Sequence, residues 1–168
     1  DPERIAIDPG LPKNKHMRWA ALLRHQTPEE AVAILRQLKL DNDTINRVKT
    51  LVQWWKRPVG ADQTQIRKTM SQMAPELYDD LLVLKTSVGE LELQAEGCVE
   101  DLDWVKAQTG EIRQRGDCVS LKELAITGAD LIQAGMKPGK ELGETLKRLL
   151  ELVLEHPEWN TKEILKKV

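Results

Sequence analysis

From Leu77 to Ile112 the apolar side chains recur at spacings of four and three: Leu77, Leu81, Leu84, Val88, Leu91, Ala95, Cys98, Leu102 and Val105, then Ile112 beyond Thr109. A helical turn puts such positions on one stripe, whereas a half-buried strand needs alternation with period two. No stretch of the chain alternates convincingly, so the expected fold class is all-α, an irregular array of helices. Composition agrees where it bears on this. With 5 Trp, 1 Tyr and no Phe among 168 residues, the core must be aliphatic with a few indoles, which suits helices better than sheets. Gly89 and Gly97 each weaken the seam by about 1 kcal/mol relative to Ala, so a break is expected near one of them. Cys98 reads as a small core residue, not a reactive thiol.

The same period organises the rest of the chain. A first helix is expected over 14–25, with Met17, Ala20, Ala21 and Arg24 on one side and Trp19, Leu22 and Leu23 widening the face. Thr27-Pro28-Glu29-Glu30 carries a capping-box signal for a second helix burying Ala31, Ile34, Leu35 and Leu38. Capping carboxylates at Asp41 to Asp43 precede a third, striped by Ile45, Val48, Leu51, Val52 and Trp55 and stopped by Pro58 and Gly60. Trp54 lies off that stripe and is expected to pack on a neighbouring helix. A shorter helix over 63–72 uses Ile66, Met70 and Met73. Past Arg115 the texture changes to short helices: a turn at 120–124, a helix capped by Thr127 and stopped by Gly135, a longer one burying Leu142, Leu146, Leu149, Leu150 and Val153, and a last one with Ile164, Leu165 and Val168.

Charge is polarised beneath a formal net of −2: residues 1–70 sum to +5, 71–111 to −8 and 112–168 to +1. The basic first third could face a phosphate backbone, and Glu90, Glu92, Glu96, Glu100, Asp101 and Asp103 are expected to form an acidic surface that would repel one. No apolar run approaches the ~18 residues of a membrane span. Asp1-Pro2-Glu3-Arg4 is neither a signal peptide nor an initiator start, which suggests a piece of a longer gene product. Cys98 and Cys118, without a Cys-x-x-Cys pair, give neither a zinc ribbon nor a disulfide framework, and the simplest compartment is reducing.

Familiar catalytic arrangements fail on residue types. There is no glycine-rich phosphate loop ending in Lys-Ser or Lys-Thr, no His-Glu-x-x-His and no Gly-x-Ser-x-Gly. His25 follows Ala20-Ala21-Leu22-Leu23 somewhat as the histidine of a His-Asp phosphohydrolase helix follows its apolar run, but Gln26 stands where a carboxylate would be needed beside the imidazole. No metal site is expected. The most informative segment is Leu131 to Gly143, a helix, a Gly-Met-Lys-Pro-Gly turn and a second helix. Gly135 permits a left-handed backbone, Pro138 and Gly139 open the first amides of the next helix, and Lys137 with Lys140 adds positive charge, which together make a phosphate seat. The alternative is a helix hairpin in which Gly143 merely allows close packing.

Gly116-Asp117-Cys118-Val119-Ser120-Leu121-Lys122-Glu123-Leu124-Ala125-Ile126-Thr127-Gly128-Ala129-Asp130-Leu131-Ile132, then Gly135-Met136-Lys137-Pro138-Gly139, Leu142-Gly143, and the closing Pro157-Glu158-Trp159-Asn160-Thr161-Lys162-Glu163, resemble the C-terminal region of bacterial CCA-adding tRNA nucleotidyltransferases and their poly(A) polymerase relatives. Arg18-Trp19-Ala20-Ala21-Leu22-Leu23 and Leu40-Asp41-Asn42 resemble that family's helical body less specifically. The resemblance implies a cytoplasmic protein in which a head holds Mg, a neck reads CTP or ATP, and body and tail grip the acceptor stem and elbow of tRNA. The head and neck motifs are absent from this sequence, so the fragment is expected to hold no cofactor and to add no nucleotide alone. Carried onto matching positions, the resemblance implies an RNA-facing role for Gly135, Lys137, Pro138, Gly139, Lys140 and Gly143, with Lys147 and Arg148 as nearby backbone contacts. The expected organisation is a body-like domain, 1–73, and a tail-like domain, 74–168, the latter divided into acidic heptad helices over 75–113 and a helix-turn-helix unit over 114–168. Two other functions stand beside this one: a protein-interaction module pairing through the seam from Leu77 to Ile112, and a degenerate His-Asp phosphohydrolase.

Overall fold

A computed structural model of the chain describes residues 14–95 and 100–168. The expectations for Glu96, Gly97 and Cys98, and for the side chains of Glu90, Leu91 and Ala95, lie outside what it describes. The described residues form helices α1 (Lys15–Leu23), α2 (Pro28–Gln37), α3 (Asn42–Trp55), α4 (Gln63–Ser71), α5 (Pro75–Ala95), α6 (Leu102–Arg115), α7 (Gly128–Gln133), α8 (Lys140–Glu155) and α9 (Lys162–Leu165), with 3-10 turns at Leu121–Glu123 and Pro157–Trp159. They contain no strand, and the fold is all-α. None of their helices is long and apolar enough to cross a membrane.

The helices gather into two units whose boundaries differ from the 1–73 and 74–168 partition. One takes the described residues up to Ala61 together with Met73–Lys106, and the other takes Asp62–Gln72 together with Ala107–Val168. The difference comes from α4. Its apolar positions are few, and what ties it down is a buried cation, Arg67, whose partners lie far along the sequence at Asp117 and Leu154.

In the first unit α3 is the central element, packed by α1, α2 and α5. Its stripe is buried as expected at Ile45, Val48, Leu51, Val52 and Trp55. Asp41 caps it by accepting from the Thr44 amide, and the Lys15 ammonium beside it, with that hydrogen bond, holds the carboxyl far below the usual range. The capping box at α2 forms as the sequence indicates, Thr27 and Glu30 each accepting the other's amide. Met17, Ala20, Ala31, Leu35, Leu77, Leu81 and Leu84 complete the core. Trp54 packs half-buried against this cluster, with the Arg57 guanidinium 5.4 Å from its ring. Leu22 and Leu38 do not join it; they are 48% and 52% exposed. Leu22 falls off the Met17–Ala20–Leu23 face, and Leu38 lies one residue past the end of α2.

Helix α5 breaks at Gly89, which has φ −167° and ψ 34°. Such a backbone is open to any residue, so the reason for glycine is space. A Cβ there would stand 2.7 Å from Cη2 of the fully buried Trp55 indole. Of the residues expected to form the acidic surface, Asp101 and Asp103 are exposed, whereas Glu92 and Glu100, and with them Asp80, are turned onto partners within this unit. Glu92 accepts from Arg24 at 3.2 Å and pairs with His25 at 2.7 Å, and Asp80 pairs with His16 at 2.6 Å. Glu100 accepts the amides of Val59 and Gly60 and lies 3.5 Å from the fully buried Lys85 ammonium, which also donates to the Arg57 carbonyl. Asp80 and Glu92 sit on helix faces and Glu100 just before α6, and each satisfies a polar neighbour, a use that a count of charges does not reveal.

The second unit has a smaller core: Cys118, Leu124, Ile126, Leu149, Val153 and Leu165. The Cys118 thiol is free, and burial pushes its pKa up, which makes it a core residue and a poor nucleophile. Helix α8 packs on α4 and α7. Arg67 Nε donates to the Leu154 carbonyl at 2.7 Å, and its Nη1 lies 3.4 Å from Asp117, both side chains being nearly inaccessible. Asp117 in turn accepts from the half-exposed Arg115, whose Nη2 also donates to Gln63. A buried ion pair of this kind is tolerated only when the remaining hydrogen-bonding capacity is met, as it is here.

Candidate nucleic-acid interface

The segment from Thr127 to Glu155 is a short helix, a tight turn and a long helix, and each junction has a local cause. Thr127 Oγ1 accepts from the Asp130 amide, and Asp130 Oδ2 accepts from the Thr127 amide at 2.9 Å, a reciprocal box that starts α7. Lys162 donates to the other oxygen of Asp130 at 3.1 Å, tying α9 to this start. The hydrogen bonds from Thr127 and then Lys162 lower the Asp130 pKa to about 2. Gly135 ends α7 with φ +105°, and Gly139 precedes α8 with φ +148°. L side chains rarely adopt either conformation, and in neither case would a Cβ meet anything within 4 Å, so these glycines are there for the backbone.

The cap at Gly139 leaves no side chain to satisfy the first amides of α8. A sixteen-residue helix therefore begins with open N–H groups at the positive end of its dipole. Lys137, Pro138, Gly139 and Lys140 are all exposed around it. Lys140 makes only a loose pair with Glu144, 3.8 Å apart, and Lys137 has no ionic partner among the described residues. Gly135, Lys137, Pro138, Gly139 and Lys140 are thus brought together at one turn. Gly143 follows on the exposed surface of α8, where a Cβ would meet nothing within 4 Å. Close helix packing is not what this glycine serves.

Lys147 and Arg148 part company. At 100° per residue, Lys147 shares the outward stripe of α8 with Lys140, but also with Glu144 and Glu151, so that stripe alternates in sign. Arg148 is turned a further 100° and lines an open groove of about 540 Å³ between α7, α8 and α9. The groove has an aliphatic floor that includes Leu131, Met136, Leu149, Leu152 and Leu165, and Gln133 and Lys166 line it as well. Neither Arg148 nor Lys166 has an ion-pair partner among the described residues, because Asp130, the carboxylate in the groove, is already held by Lys162. Lys166 and Gln133 are absent from the set read off the sequence. The only trace of Lys166 there is its place in a Lys-Lys pair between Leu165 and Val168, and Gln133 leaves none.

Asn160 explains the end of the Pro157-to-Glu163 motif in structural terms. Its Oδ1 accepts the Ala125 amide at 2.7 Å and its Nδ2 donates to the Glu123 carbonyl at 3.0 Å, which pins the segment before α7. Beside it the rings of His156 and Trp159 stack, 4.0 Å between centroids. Val168, expected to pack with Ile164 and Leu165, is 67% exposed at the mouth of the groove. In the first unit His25 is engaged by Glu92, and among the described residues no three His, Cys, Asp or Glu side chains are grouped to hold a metal.

A family model described as tRNA nucleotidyltransferase domain 2 matches residues 12–168. No curated protein and no solved structure matches the chain.

Proposed function

Since the chain belongs to the tRNA nucleotidyltransferase domain 2 family, we propose that it is the tRNA-binding helical part of an enzyme that adds or repairs the 3′ CCA end. It supplies grip and measurement of the acceptor stem and elbow, and the nucleotidyl transfer, with its Mg and CTP or ATP, belongs to head and neck regions that this sequence does not contain. The observation that carries the reading is the family match, joined to the open amide end of α8 between Lys137 and Lys140. Backbone N–H groups and ammonium groups together are suited to phosphate, and recognition of a folded RNA by shape and phosphates needs no base-reading motif. Of the first unit's acids, Asp80, Glu92 and Glu100 have partners within that unit, while Asp101 and Asp103 are exposed, so the proposed grip is on the second unit. Its place is the cytoplasm, where tRNA ends are mended.

Filter retention of a tRNA lacking its CCA end, at two salt concentrations, tests this. Binding should fall steeply with salt, and the Lys137→Glu/Lys140→Glu double variant should weaken it and flatten the salt dependence. Retention unchanged by that double reversal would remove these residues from the interface.

A further inference from the structure

We propose that the groove between α7, α8 and α9 is a seat for a single unpaired, unstacked nucleotide of the bound RNA. The inference rests on the RNA-binding reading and deepens it, since phosphate contacts at the α8 turn say nothing about which feature of an RNA is recognised. The groove's volume, about 540 Å³, lies within the roughly 300–1,000 Å³ range of sites that enclose small ligands. Its floor, with Met136, Leu149 and Leu152, is apolar and suits the face of a base that has left its stack. Arg148 and Lys166 supply two cations without ionic partners, so an anionic occupant satisfies charges that the protein leaves open. Guanidinium is the cation best shaped for a phosphate.

Gln133 adds a carboxamide that both donates and accepts, as the edge of a base requires. A peptide backbone would suit it as well, and the RNA-binding reading is what selects the base. Asp130 does not oppose the phosphate as a free carboxylate would, because Lys162 and Thr127 hold it. A groove of about 540 Å³ is too small to take a base-paired helix.

Met136 makes the proposal directly readable. It is one of four methionines, and Met70, buried in the same unit, serves as the internal reference. The full chain labelled at its methionine methyl groups, with the Met136 signal assigned through Met136→Leu, would be titrated with a short single-stranded oligoribonucleotide, a blunt RNA duplex and an acidic peptide. The Met136 methyl should move with the single strand alone while Met70 stays, and Arg148→Ala/Lys166→Ala should weaken that binding about tenfold or more with the free spectrum unchanged. A silent Met136, an equal response to the duplex, a tighter response to the peptide, or an intact response in the double variant would each overturn the seat. Loss of tRNA retention at Lys137 and Lys140 with a silent Met136 would leave the RNA-binding reading standing and the groove refuted.

Discussion

In the first unit Glu92 takes Arg24 and His25, Asp80 takes His16, and Glu100 lies beside the buried Lys85. In the second, Lys137, Lys147, Arg148 and Lys166 have no ionic partner among the described residues, although Arg67 and Asp117 are paired out of water. The apolar content differs in the same sense. The first unit's core cluster runs from Met17 to Leu93 across four helices, whereas the cluster around Leu149 and Val153 in the second has six buried side chains and lies beside a groove. The first unit also exposes cations, Arg18, Arg36, Lys39 and Lys49 among them. What sets the second unit apart is that its unpaired cations stand beside an open helix start and an apolar groove, and that grouping makes it the candidate interface.

The sharpest way to break this contrast is at Arg67. Arg67→Met leaves the buried Asp117 with the half-exposed Arg115 as its remaining cation and the Leu154 carbonyl without its side-chain donor, and should destabilise the second unit by about 3 kcal/mol. Urea unfolding followed by residue-resolved hydrogen exchange would show the loss in α8 amides; an unchanged midpoint would mean that Arg67 is not what secures α4. Next in size is Gly89→Ala. Its Cβ would collide with the Trp55 ring, and overpacking of this kind costs about 1–3 kcal/mol. That loss should appear in the first unit's indole fluorescence. Gly139→Ala has open space but the wrong backbone, so about 1–2 kcal/mol should be lost from the start of α8.

Gly143→Ala sharpens the comparison differently, because it should stabilise. An exposed helical glycine with nothing near its Cβ costs roughly 1 kcal/mol relative to alanine. Thermal unfolding should therefore move up, and if the bare backbone serves the RNA, tRNA retention should drop in the same variant. Stabilisation with unchanged retention would make Gly143 incidental. The smallest effect concerns pH. Asp130 ionises at about 2 in the folded chain against 3.8 as a free side chain, so its contribution is present above pH 4 and fades as the pH falls toward 2. Amide protection at the start of α7 should fade over that window in the native chain and not in Asp130→Asn.

Much of this was legible in the sequence because helices announce themselves through period and caps. Ile45 to Trp55 lie where their spacing puts them, Thr27 and Thr127 cap where capping boxes stand, and Gly135 stops α7. Partnerships across long separations were not legible. Nothing local marks Arg67 as a residue that will meet Asp117 and Leu154, and through those bonds α4 joins the second unit. Glu92 looks like surface because charge is read residue by residue, while its partners Arg24 and His25 stand more than sixty positions away. In the candidate interface the turn was visible, since two special glycines, a proline and two lysines are adjacent. The groove was not, because Arg148, Gln133 and Lys166 come from three helices, and only the fold makes them neighbours.

The division of the chain has a consequence for its making and its breaking. Because the units exchange segments, the polypeptide passes from one to the other three times, after Ala61, after Gln72 and after Lys106. A protease that nicks one of these junctions leaves two covalent ties between the units, and the two fragments it releases on a denaturing gel match neither unit. During synthesis the first unit cannot close until Lys106 has emerged, and α4 must wait still longer for Leu154. An expression boundary drawn at residue 73 would therefore yield not two domains but two incomplete ones.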